Sequence, residues 1–119
     1  MPNRSLLLAI AWTLFIVALC SIPCDDIPDM DIWGYDKIGH FVMFAGFGWL
    51  WAHAAPKNAL GWVLAAGVAF AGLTEVYQGL LPFDRTPDLY DALADIIGLS
   101  AGLLVYRLQK HRRARQQPA

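Results

Sequence analysis

The sequence predicts an all-α membrane protein, a bundle of four transmembrane helices with both termini on the cytoplasmic side. Three observations lead there. Hydrophobic residues make up 57% of the 119 positions and charged residues 16%, against roughly 45–50% and about 25% in soluble domains. The apolar residues fall into four segments separated by polar, proline-bearing stretches. Charge is segregated along the chain, with acids crowding into 25–36 and 84–95 and a lysine and four arginines into 107–115.

The first segment, about 5–22, follows the cation Arg4. A positive start and an apolar centre would also suit a signal peptide. No A-x-A site follows, however, and Pro23 sits where cleavage would have to occur, so the segment is read as a retained helix stopped by Pro23. Residues 23–36 form an aspartate-rich loop ending on Trp33 and Tyr35, residue types suited to the membrane–water interface. Cys20 and Cys24 have no second pair with which to build a four-cysteine zinc site.

In the second segment, about 37–55, Asp36, His40, Phe44, Phe47 and Trp51 recur at three- and four-residue steps and share one helix face. His40 therefore lies one turn inside the helix. In the third, about 58–81, Val68, Ala71, Gly72, Glu75, Gln78 and Gly79 are expected on one face. Small residues let transmembrane helices approach closely, so that face should point inward and carry Glu75 with it. A turn with Pro82, Asp84, Arg85 and Pro87 leads to the fourth segment, about 90–108. There Asp91, Asp95, Gly98, Gly102 and Val105 line up, and Gly98 with Gly102 forms a G-x-x-x-G motif. One domain, 1–108, holds all four helices, and 109–119 is expected as a flexible basic cytoplasmic tail.

Orientation follows from charge. Four spans place Arg4, Lys57 and the basic tail on one side, which the positive-inside rule makes the cytoplasm. The other loops then face outward, and His40, Glu75, Gln78, Asp91 and Asp95 converge on the outer half of the bundle. Asp36, Lys37, Arg85 and Asp88 flank them. An acid at the bilayer centre costs about 2.5–3.5 kcal/mol on insertion scales, so such a cluster demands a partner, a wet cavity or a function. Its acids outnumber Lys37 and Arg85, which calls for a protonated carboxyl, a cationic His40 or a bound cation.

Four roles fit this cluster. It can be a packing network that sets the helix arrangement. It can bind the polar part of an amphiphilic or lipid-linked ligand at the outer leaflet, with Lys37 and Arg85 on anionic groups and the acids and Gln78 on amines or hydroxyls. It can be a metal-assisted or acid–base enzyme on a lipid-linked substrate, or a proton- or ion-coupled path. No H-E-x-x-H or G-x-S-x-G signature is present, and Ser5, Ser21 and Ser100 are poorly placed as nucleophiles. Binding is the first expectation, with no cofactor and no assigned metal, and a metal-assisted hydrolase or transferase is the alternative. Membrane lipids are the expected partners, self-association is left open, and nucleic acid is not expected. The basic tail lies immediately beside a span, where anionic lipid headgroups account for it.

Asp36, Lys37, His40 and Phe41, then Glu75 and Gln78, then Arg85, Asp88, Asp91 and Gly98, together resemble the VanZ-like family of small bacterial membrane proteins. The resemblance covers roughly 36–102. It implies a multi-pass protein of the bacterial cytoplasmic membrane, in a family named for resistance to the glycopeptide teicoplanin. It makes Lys37, His40, Glu75, Gln78, Arg85 and Asp91 the family's polar signature in this chain. Asp95 departs from the pattern, since many members carry asparagine there.

Overall fold

The computed structural model describes residues 3–21, 32–80 and 89–116, with side chains in the middle stretch described from Lys37 onward. It is all α: α1 Arg4–Cys20, α2 Ile32–Ala54, α3 Leu60–Leu80 and α4 Leu89–Gln116. Asn3 caps α1, its side-chain oxygen accepting from the Ser5 amide at 3.0 Å. The turn between α2 and α3 passes through Pro56 and Asn58. Asn58 has a φ of 67°, a left-handed conformation that asparagine tolerates better than most side chains.

Two ends differ from the sequence expectation. Helix α2 begins at Ile32 rather than near 37, and α4 runs through the basic stretch to Gln116 rather than stopping at 108. Arginine, lysine and glutamine are good helix formers. Arg113 and Arg115 also sit in the last turn, at the negative end of the helix dipole.

Helix α2 is the centre of the bundle and packs most extensively against α4. The two run parallel. Lys37 meets Asp91, Phe41 meets Gly98, Ala45 meets Gly102 and Trp49 meets Gln109, in rising order on both helices. The approach is backbone on backbone. A Cβ on Gly98 would run into the Phe41 carbonyl, and one on Gly102 into the Ala45 carbonyl. From the α2 side, a Cβ on Gly48 would lie 2.7 Å from the Leu99 carbonyl oxygen. The G-x-x-x-G motif thus serves the α2–α4 seam.

Helix α3 closes over this pair with Val63, Gly67, Ala71, Thr74, Glu75 and Gln78 buried. Here the sequence expectation needs correction. Val68, Gly72 and Gly79 face outward, and a Cβ on Gly72 would meet nothing within 4 Å. Gly67 supplies the close approach instead, because the Leu99 side chain of α4 fills the space above it. Val105 is likewise exposed. Helix α1 lies against α2, where the Trp12 indole donates to the Met43 carbonyl at 2.8 Å and the Trp51 indole donates to the Thr13 hydroxyl at 2.9 Å. Phe44, Phe47 and Phe70 pack between α2 and α3, with Phe70 5.6 and 5.3 Å from the other two rings.

The bundle is inverted relative to a water-soluble core. His40, Thr74, Glu75, Gln78, Asp91 and Asp95 are buried, whereas Leu14, Trp62, Leu73, Leu80, Leu89 and Ile97 are each exposed by 60% or more. Lipid, not water, is the solvent such a surface suits. By length and composition α3 and α4 can each cross a membrane, both with a mean hydropathy of 1.5. The 21 residues of α3 reach about 31 Å, close to the roughly 30 Å hydrocarbon thickness. Helix α1 is apolar but has 17 residues. Helix α2 carries Lys37, His40 and His53, and does not meet the same criterion.

Candidate functional site

Three helices deliver the polar residues to one place. Helix α2 brings Lys37 and His40, one turn apart; α4 brings Asp91 and Asp95, four residues apart on its buried face; α3 brings Glu75 and Gln78. The parallel, glycine-mediated contact of α2 with α4 sets Lys37 opposite Asp91 and His40 opposite Asp95.

His40 stands between two carboxylates. Its Nδ1 is 2.7 Å from Asp95 Oδ1 and its Nε2 is 3.7 Å from Asp91 Oδ2. The Lys37 ammonium pairs with the other Asp91 oxygen. Exposure falls steadily with depth, from the part-buried Lys37–Asp91 pair to His40 at 4% and Asp95 at 0%. A low-dielectric setting strengthens each of these contacts and makes the loss of either member costly.

Glu75 completes the cluster from α3. His40, Glu75 and Asp95 are all buried, and each offers one ligand atom within 4.8 Å of the other two. One imidazole nitrogen and two carboxylate oxygens form a donor set for a divalent cation of the zinc, manganese or magnesium type. His40 can also hold or relay a proton between the Asp91 and Asp95 carboxyl groups that flank its ring.

The remaining candidates behave differently. Gln78 is buried but turns toward α1, donating to the Cys20 carbonyl at 3.4 Å. It therefore ties α3 to α1. Arg85 and Asp88 lie outside the described residues, as does the Asp36 side chain. Phe41 and Tyr90 are partly or largely exposed near this end of the bundle. Thr74, which the sequence reading passes over, is buried beside Glu75, with its hydroxyl donating to the Ala71 carbonyl at 2.8 Å. Its spacing four before Gln78 would have placed it on that face. Ser21 and Tyr77 share a 2.8 Å hydroxyl hydrogen bond across the gap between α1 and α3.

A family model described as VanZ/LLP1 matches residues 4–110, a span that takes in α1, α2, α3 and α4 as far as Lys110. No curated protein and no solved structure matches.

Proposed function

The chain belongs to the VanZ/LLP1 family, and from that premise we propose that it crosses the envelope membrane four times and presents an outward polar site to an amphiphilic or lipid-linked ligand. Both termini are cytoplasmic in this reading, which is supported by the placement of Arg4, Lys57 and the basic end of α4 at one end and of Glu75, Asp91 and Asp95 at the other. The site holds the polar headgroup of its ligand or shields it. Lys37 and Arg85 take anionic groups, and Glu75, Asp91 and Asp95 take amines or hydroxyls. The family's association with glycopeptide resistance supplies the envelope context.

One observation carries the proposal: buried ionisable groups from three helices converge on His40 inside a bundle whose exterior is apolar. Intramembrane charge of this kind is expensive and characteristically functional. A second reading is favoured by the His40–Glu75–Asp95 donor set, namely a metal-assisted hydrolase or transferase acting on a lipid-linked substrate. There a divalent ion would polarise a phosphoryl oxygen.

The two readings separate on purified full-length protein given a polyprenyl-phosphate-linked sugar as probe. For a binder, Glu75→Gln and His40→Ala should each weaken probe binding by tenfold or more, chelator should change nothing, and no product should form. For the enzyme, a stoichiometric metal should be present, chelator and Glu75→Gln should abolish turnover, and affinity should hold. Unchanged binding in both variants, with no turnover in the native chain, would remove both. Orientation is checked by labelling single cysteines in whole cells. Leu89→Cys should react with an impermeant thiol reagent and Ala114→Cys should not; the opposite pattern would overturn the outward site.

A further inference from the structure

The end of the bundle opposite the acidic cluster is built differently, and the reading above makes no use of it. No aspartate or glutamate follows Asp95, and none lies between Asp36 and Glu75. The turn after α2 and the last turns of α4 therefore meet with cations only. Lys57 and Asn58 from the turn, and Tyr106, Arg107, Lys110 and His111 from α4, wall a cleft of about 420 Å³. A second cleft of about 340 Å³ lies on the other side of Tyr106 and Lys110, reaching Ser5, His53 and Arg113. The aromatic floor is ordered: the His53 ring sits 4.4 Å from Trp49 and 4.8 Å from Tyr106. Trp49 also donates from its indole to Gln109 at 2.8 Å.

These clefts adjoin apolar surface. The first shares Pro56 with a groove of about 490 Å³ walled by Phe47, Trp51, Trp62, Val63 and Phe70. A cationic recess above an apolar groove matches an amphiphile with an anionic head and hydrocarbon tails. Trp49, Trp62 and Tyr106 gather at this end of the bundle, and tryptophan and tyrosine favour the membrane–water interface, where lipid phosphates lie. Basic pockets between spans bind such headgroups, and a lone phosphate would leave the groove unused.

We propose that the Lys57–Arg107–Lys110 cleft is a binding site for the phosphate headgroup of an anionic membrane phospholipid, at the end of the bundle opposite the His40 cluster. The site is independent of the ligand proposed for that cluster. Bound lipid would brace the α2–α3 turn against α4, which line the cleft together.

The test uses full-length protein extracted in mild detergent and titrated with phosphatidylglycerol or phosphatidylcholine, with lipid adducts read by native mass spectrometry. Phosphatidylglycerol should bind in preference, and the pair Lys57→Gln with Lys110→Gln should lose about fivefold in affinity for each residue changed. Lys57→Arg with Lys110→Arg should bind as the native chain does. Arg112→Gln with Arg115→Gln, which line neither cleft, should have little effect. Equal adducts for the two lipids would overturn the proposal. So would equal losses from the two glutamine pairs, which would assign the attraction to the basic run as a whole. Displacement of the lipid by inorganic phosphate, beyond that caused by sodium chloride at matched ionic strength, would assign the cleft to free phosphate and overturn the lipid. Failure of any of these arms leaves the His40 site untouched, since none of its residues is altered.

Discussion

Gly98→Leu should leave the chain helical but without a bundle. The far-ultraviolet circular dichroism of the detergent-solubilised variant should stay near that of the native chain, because each span satisfies its own backbone hydrogen bonds. The cooperative thermal transition and the monodisperse elution should be lost. Even one carbon at this position would drive into the Phe41 carbonyl, and backbone cannot move aside as the end of a side chain can. Gly98→Ala, the mild version, should cost about 1–3 kcal/mol, the usual range for overpacking. The damage reaches the site, because the same contact sets the spacing between His40, which precedes Phe41 on α2, and Asp95, one turn before Gly98 on α4. Gly72→Ala is the control. Nothing stands within 4 Å of that new carbon, so stability should change by no more than about 1 kcal/mol, and in the favourable direction. A native-like melt for Gly98→Leu would mean that α2 and α4 do not meet at this glycine.

His40→Ala should destabilise the bundle by about 3 kcal/mol, the cost of leaving the fully buried Asp95 carboxyl group without the imidazole beside it. Asp95 has no exposure at all, and the imidazole 2.7 Å away is one of the groups that hold it. Asp95→Asn should restore part of the loss in the double variant, because a neutral amide no longer needs a charged neighbour. The double-mutant cycle should therefore show a coupling of about 1 kcal/mol or more, well above the roughly 0.5 kcal/mol scatter of independent sites. Asparagine at this position is also what the family resemblance leads one to expect. Strict additivity in thermal melts would show that the two residues do not share the contact. A similar cycle on Lys37 and Asp91 should give a smaller coupling, since that pair is less deeply buried than His40 and Asp95.

Much of this architecture is legible from local chemistry. Proline and asparagine mark the turn at Pro56 and Asn58, and four apolar runs of helical length mark the four helices. The α2 and α4 faces are also legible, because large or ionisable markers define them: His40, Phe44 and Phe47 on one, Asp91 and Asp95 on the other. The α3 face is less so. Its glycines are spread around the helix, and a stripe of small residues can be drawn through Gly67 or Gly72 with equal ease. Only the Leu99 side chain, arriving from a different helix, selects Gly67. The ends of α2 and α4 escape for a related reason, since hydropathy stops where charge begins whereas the helix continues through lysine and arginine.

The sequence by itself determined the all-α class of the molecule, the separation of acids from cations along it, and the candidates for a polar cluster at one end. Those follow from residue type and period, which need no partner to be read. The tertiary structure decided which of these groups touch. It placed His40 between Asp91 and Asp95, brought Glu75 within ligand distance, and turned Gln78 away toward the Cys20 carbonyl. The reason is that contact depends on the rotation and separation of whole helices. At this seam both are fixed by glycines whose missing side chains let α4 settle directly on the backbone of α2.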